Sequence, residues 1–529
     1  MKKNIFRLAV GISAIAVVSL SSCEKQLNLQ PTNDVTSEVV FGTSAGYKQA
    51  LAKVYGSFAL TGNAGPAGAA DIVGLDEGSN ADFLRSFWMT QEVTTDEAVI
   101  AWGDAGVQDF HLMNWTSDNP FLRGLYFRSL YQITLANEFL RQAADEKLSA
   151  RGISGTDADE IRRNRAEVRF LRAFQYWVLM DIYGNPPFIT EADPIGGPLP
   201  KQISRGELFK YVESELKAIE GELEATRDMA HYGRATRGAA QALLARLYLN
   251  AKVYTGTERY TDAITYAKNV ITGGYTLFPN YRQLTMRDNT NLSEFIFTIN
   301  YDGQRTHLYG GTTFLAHASV GGSMPAANYG IDNGWAGLRT TKSLVNLFPS
   351  NGSDSRANFY TDGQSLEINS LTTFTDGYAV PKFTNKDRNG VSGSNQTFVD
   401  TDFPLFRLPE MYLIYAEAVL RGGAGGDLNQ ALTYINALRE RAYGNTSGNL
   451  GAESLTLDEI LNERARELYW EGHRRTDLIR YGRFVSSAYT WPWKGGVKDG
   501  KAVEEHRVLF PLPSADVTAN PNLKQNTGY

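Results

Sequence analysis

The chain has 529 residues, a formal charge of −6 and a single cysteine, Cys23. An acidic balance of this size argues against nucleic acid as a partner, and one cysteine excludes an intramolecular disulfide, so stability must come from packing. At this length the chain forms two to four structural units and buries most of the surface that its unfolded form exposes.

Lys2, Lys3 and Arg7 form a basic start, Leu8–Leu20 is mostly apolar, and Leu20-Ser21-Ser22-Cys23 is a small-residue cleavage site ending in a thiol. Residues 1–22 therefore read as a lipoprotein signal peptide with Cys23 as the lipid attachment point. An ordinary signal peptide with an incidental cysteine is the alternative. A transmembrane helix is disfavoured, because the apolar run falls short of the roughly 18 to 20 residues that a span needs. Cleavage removes three positive charges and no acidic residue, which takes the formal charge to −9. Acyl chains on Cys23 anchor a domain at about 0.8 kcal/mol per buried CH₂, with more than one chain needed for a stable hold. Residues 23–44, polar at first and containing Pro31, read as a tether.

From Ala45, Tyr47, Ala50, Leu51, Val54 and Tyr55 recur at helical spacing. Thr61–Asn80 is rich in Gly, Ala and Asp and reads as a shaped loop, and Phe83–Trp115 mixes aromatics with carboxylates without a helical stripe. Helices are expected at about 119–147, 158–183, 203–226, 235–254 and 260–271, the second stopped by Gly184-Asn185-Pro186-Pro187. Ala242, Ala245, Ala263 and Ala267 in this run resemble the close-packed hairpins of tetratricopeptide repeats, in degenerate form. From Phe278 to about Pro404 helical signals fade, a strand is expected at 294–301, and a loop-rich stretch of this length is usually functional. Helices resume at about 407–421, 428–443 and 457–481. The division that results is an N-terminal region, 45–275, and a C-terminal region, 276–529.

Several separated motifs carry a resemblance. Arg165-Ala166-Glu167-Val168-Arg169-Phe170-Leu171-Arg172-Ala173 leads to Asp181-Ile182-Tyr183-Gly184-Asn185-Pro186-Pro187. Phe406-Arg407-Leu408-Pro409-Glu410-Met411-Tyr412-Leu413 is followed by Ala416-Glu417-Ala418. The most specific run is Glu463-Arg464-Ala465-Arg466-Glu467-Leu468-Tyr469-Trp470-Glu471-Gly472-His473-Arg474-Arg475, continuing to Gly482, and Gln525-Asn526-Thr527-Gly528-Tyr529 closes the chain. With these motifs the chain resembles the SusD/RagB family of outer-membrane glycan-binding lipoproteins, and within it the starch-binding branch, over essentially the whole mature length. The resemblance implies a mainly α, SusD-like fold. Tetratricopeptide-like helix pairs form its scaffold, and an irregular, loop-rich lobe carries the ligand site. It also implies a non-catalytic protein, lipid-anchored at the cell surface over a SusC-type TonB-dependent transporter, to which it helps deliver captured oligosaccharide.

Three aromatics in irregular segments are the candidate platforms: Trp102, Tyr309 ahead of Gly310-Gly311, and Trp335 closing Asn333-Gly334-Trp335. A pyranose presents C–H groups that pack on aromatic rings, while its hydroxyls need polar partners at the rim. In the starch-binding branch two tryptophans and a tyrosine form such an arc, and these three match it by local sequence; each is alternatively a core aromatic. Asp76 and Arg85 correspond in the same way to groups that grip a vicinal diol. Two departures bear on the ligand. One extra residue separates Asp76 from Arg85, and Asp104 stands after Trp102 where that branch offers an asparagine. The spacings Glu463/Arg466 and Glu471/Arg474 place opposite charges near one another in a segment that also asks for burial, and read as a brace between helices.

No cofactor is expected. The six histidines show no metal-binding spacing, Gly422–Gly426 reads as a turn, and Asp288-Asn289-Thr290-Asn291 lacks the full pattern of a Ca²⁺ loop and reads as a solvated turn. The leading expectation is a binder of starch or maltooligosaccharides. Set against it are a binder of another polysaccharide or of peptide-like material, and a glycoside hydrolase using two carboxylates such as Asp76 and Asp96.

Overall fold

The computed structural model describes residues 37–529 apart from 64, 69, 226 and 227; residues 1–22, read as a signal peptide, and Cys23 with the expected tether up to residue 36 lie outside the described residues, whereas 37–44, also read as tether, belong to the fold, with a helical turn at Ser37–Val40 and Phe41 buried in the core. Small polar caps start the helices. Thr43 Oγ1 accepts from Gly46 N at 3.2 Å at the head of α1 (Ser44–Gly56). α2 (Phe83–Trp88) is capped by Asp82. Asn119 caps α3 (Pro120–Gln142), where Pro120 occupies a first position that needs no N–H. α4 (Gly155–Ile182) follows, then α5 (Arg205–Ile219), whose Ser204 cap accepts from Glu207 N, then α6 (Arg237–Leu249) and α7 (Tyr260–Ile271). α8 (Gly311–Ala318) lies within the loop-rich lobe. α9 (Leu408–Leu420), α10 (Leu428–Tyr443), α11 (Leu457–Leu468) and α12 (Arg474–Arg480) return to the scaffold.

Successive helices pack in series: α3 on α4, α4 on α5, α5 on α6, α6 on α7, then α7 on α9 and α9 on α10 and α11. Buried alanines such as Ala239, Ala242 and Ala245 on α6 leave room for its neighbours to approach. These are the expected helix pairs, and a hydrophobic core runs through them from Phe41 to Leu512. Gly422–Gly426 is the turn between α9 and α10, as expected.

Boundaries differ where a local interaction competes. The helix expected at 119–147 stops at Gln142 and restarts at Asp145–Ala150; that at 203–226 ends at Ile219, and that at 235–254 breaks at Asn250. The segment 457–481 is two helices. Trp470 and Gly472 take positive φ (65° and 81°), and the Glu92 carboxylate accepts from Gly472 N (2.6 Å) and His473 N (3.1 Å), N–H groups that a continuous helix would have used. Phe83–Trp115, read as lacking a stripe, holds α2 and a π-helical turn, Met89–Val93, all of whose residues are buried, so neither shows one apolar face.

Two small sheets shape the lobe. β1 (Val99–Ile100), β3 (Leu338–Thr340) and β4 (Tyr378–Ala379) form one antiparallel sheet with Ile100 opposite Leu338; β2 (Phe295–Ile299) pairs with β5 (Phe403–Arg407) through two register shifts.

The charged motifs brace these elements. Glu463 and Arg466 pair as expected (2.7 Å). Glu471 and Arg474 do not, because the chain turns between them. Glu471 meets Arg407 (2.6 Å) and Lys382 (2.7 Å), and Arg474 grips Asp96 (2.7 Å). Arg407 also meets Glu294 and Glu467, and Arg356 bridges Asp354, Glu463 and Glu467. Surrounding guanidinium groups outweigh burial and hold Glu467 down at about 2, the opposite of what a proton donor needs.

Candidate binding site

Trp102, Tyr309, Trp335, Arg85, Asp76 and Asp104 come from four chain segments, and the fold brings them to one surface. Trp102 directly follows β1. Its position is set by β3, since Ala101 N donates to Gly337 O at 2.8 Å, and its indole packs against Gly337, where a Cβ would stand 2.6 Å from the ring. Trp335 is placed by the end of α8. A helix leaves its last carbonyls unpaired, and here Trp335 N and Gly337 N donate to His317 O and Ala318 O, both at 2.8 Å. Ala336 between them is left-handed (φ 49°). Tyr309 sits at the start of the same helix. Asp82 Oδ1 accepts from Arg85 N (2.6 Å) and Gly311 N (2.9 Å), so one carboxylate fixes the start of α2, which carries Arg85, and the start of α8, which follows Tyr309.

The three rings are neighbours. Trp102 and Trp335 lie 6.3 Å apart at 46°, and Tyr309 and Trp335 6.1 Å apart at 67°. Trp102 Nε1 donates to Trp335 O at 2.9 Å. All three are partly buried, neither core residues nor free surface. Beneath them lies a second layer: Phe314 under Trp102, Phe398 beside Tyr309, and His317 stacked on Trp335 at 4.7 Å.

The polar groups gather at one rim. The Arg85 guanidinium packs on Phe314, Trp102 and Phe121. Its Nη1 donates to Gly78 O at 3.3 Å, and its Nε has no partner among the described residues. Burial lowers its pKa to about 10 against the pull of Asp82, Asp104 and Asp76. Asp76 Oδ1 accepts from Gly78 N (2.9 Å), and a Cβ on Gly78 would touch the Tyr309 ring, so Gly78 joins the two. Asp76 and Asp104 are both exposed. The arrangement offers faces for apolar C–H surfaces and a guanidinium flanked by carboxylates for hydroxyls. Asp96, the other carboxylate considered for hydrolysis, is buried against Arg474 and remote in kind from exposed Asp76; Arg474 pulls its pKa down. Asp288 takes Arg388 Nε at 2.6 Å. Sequence reasoning missed Asp82, His317, Asn333 and Phe398. Asp82 alone had a local signal, as an N-cap three residues before Arg85.

The chain matches known proteins along its whole length. The SusD family pattern covers residues 355–529, and a second, described as starch-binding associating with outer membrane, covers 70–249. The starch-binding protein SusD of Bacteroides thetaiotaomicron is 33% identical over all of both chains. The chain belongs to the SusD family. SusD-like protein P2 of Formosa agariphila is 26% identical over 73% of this chain and 78% of its own. Among solved structures, a SusD superfamily protein of Parabacteroides distasonis has a TM-score of 0.70 at 23% identity, covering 94% of this chain and all of that one. Surface glycan-binding protein A of B. thetaiotaomicron, in complex with laminarihexaose, has 0.69 at 21%, covering 91% and 99%. As a SusD-family member the protein is a binding protein and not an enzyme, with the mainly helical, tetratricopeptide-like fold of its relatives. No helix among the described residues is long and apolar enough to cross a membrane.

Proposed function

We propose that this SusD-family protein captures starch or maltooligosaccharides at the cell surface, stacking glucose rings on Trp102, Trp335 and Tyr309 while Arg85, Asp76 and Asp104 hold hydroxyls. The observation that carries the reading is the inclination of the platforms. Adjacent rings turned by 46° and 67° offer a bent surface, which follows a curved α-glucan better than a flat, extended chain. The identity to a starch-binding relative supports it. Cys23 would carry the lipid that holds the protein at the outer membrane, and a SusC-type TonB-dependent transporter is the partner to which it would deliver the glycan.

A second reading keeps the site and changes the glycan. The laminarihexaose complex of a structural relative and the presence of Asp104 beside Trp102 favour it. Affinity electrophoresis against amylopectin, pullulan, laminarin and xylan separates the two. Retardation by the α-glucans alone supports the first reading, and retardation by laminarin alone replaces it with the second.

A further inference from the structure

We infer that His317, a residue with no predicted role, is the positioning residue for the central platform; the inference rests on the stacking reading above and adds to it how the arc is held ready. The imidazole is fully buried and lies 4.7 Å from the Trp335 ring at an interplanar angle of 27°. Its Nδ1 is 2.7 Å from Asn333 O. A carbonyl only accepts, so Nδ1 carries a hydrogen and donates it to the loop. Nε2 has no partner among the described residues.

The same histidine is tied to Trp335 in two further ways. Its main-chain O accepts from Trp335 N at 2.8 Å. The Asn333 residue that it pins also accepts, through Oδ1, from Trp335 Nε1 at 3.2 Å. Trp335 O in turn receives Trp102 Nε1 at 2.9 Å. His317, Asn333, Trp335 and Trp102 therefore form one connected unit, with the ring floor and the loop anchor supplied by a single side chain. Two consequences follow. The indole N–H groups of both tryptophans are already engaged, so these rings offer a ligand their faces and not their donors. And the tilt of Trp335 is set before ligand arrives, which removes the ordering cost that a loose aromatic would incur on binding.

The test uses the full chain purified in detergent, with maltoheptaose as the probe. Indoles 6.3 Å apart couple in circular dichroism, and the part of the spectrum lost in Trp335→Phe defines their couplet. His317→Ala should lose that couplet without ligand present and bind maltoheptaose about three- to tenfold more weakly, the cost of ordering one side chain. His317→Phe restores the flat floor without the anchor to Asn333 and should recover the couplet and part of the affinity; His317→Gln keeps a donor without a ring and should recover less of both. If His317→Ala does not fold, the Phe and Gln variants decide between them. A full couplet in His317→Ala, or Gln matching Phe in both readouts, overturns the positioning role. A wild-type chain that ignores maltoheptaose overturns the glucan reading, and the couplet comparison still decides the role of His317.

Discussion

Gly337→Ala tests the arc without deleting any of its rings. A Cβ on Gly337 would lie 2.6 Å from Trp102 Cε2 and Cζ2, whereas carbon atoms in contact sit about 3.5 to 4.0 Å apart, so the indole must retreat by about 1 Å. Gly337 is not among the positive-φ residues, so alanine suits the backbone and its ladder bonds survive. The retreat breaks the Trp102 Nε1 bond to Trp335 O, worth about 1 kcal/mol, and loosens a ring contact worth about 0.5 to 1.5 kcal/mol. A ligand that needs the arc restored must meet a cost of about 1 to 2 kcal/mol, roughly 5- to 30-fold in Kd. Calorimetric titration with maltoheptaose reads the affinity, and a thermal melt should move by no more than a few degrees. A folded variant that binds as the wild type does would show that Trp102 is no platform.

Arg407→Met should destabilise the protein by about 3 to 5 kcal/mol, because it leaves Glu294, Glu467 and Glu471 buried with less compensation; urea unfolding of the variant checks it, and a loss under 1 kcal/mol contradicts the brace. Guanidinium groups, Arg480 first, hold Glu417 at about 2 against burial, from an ordinary value of 4.5; its folded value is depressed, so its contribution is complete above about pH 4.5 and is lost as pH falls toward 2. Glu92 goes the other way: burial pushes it up to about 7, so the stability it contributes is complete below about pH 4.5 and is lost as pH rises through 7. Melting temperatures should therefore fall on both sides of a maximum near pH 4.5, and a flat profile would contradict both assignments. Cys23→Ala should abolish palmitate labelling and release the protein from membranes, as fractionation of cells would record; a variant that still labels means the lipid lies elsewhere.

The scaffold was most legible where its helices have one apolar side. Tyr47, Leu51 and Val54 line the buried face of α1 and announce it by spacing. The segment around Trp88 did not, since every side chain from Phe83 to Val93 is buried and no period survives. Glu471 and Arg474 looked like helix neighbours because spacing assumes a continuous helix, and the break at Trp470 depends on a carboxylate nearly 380 residues earlier. The arc residues were found through motif resemblance, not periodicity. Their supports act over distances that no local pattern shows: Asp82, recognisable only as the cap of α2, also reaches Gly311 across 229 positions, and His317 stacks on a ring whose loop returns to the end of its own helix. Such contacts have no local signature, because loop geometry alone creates them.

The central claim is that exposed aromatic faces, held rigid by the fold, bind a curved glucan, and calorimetric titration of Trp335→Ala with maltoheptaose beside a thermal melt tests it most directly. Removal of the middle platform should cost about 2 kcal/mol, roughly thirtyfold in Kd, while the melting temperature falls by no more than a few degrees, because the ring contacts with Trp102, Tyr309 and His317 are lost but the fold's main core is untouched. Unchanged affinity in the folded variant would show that Trp335 is no platform and would contradict the account.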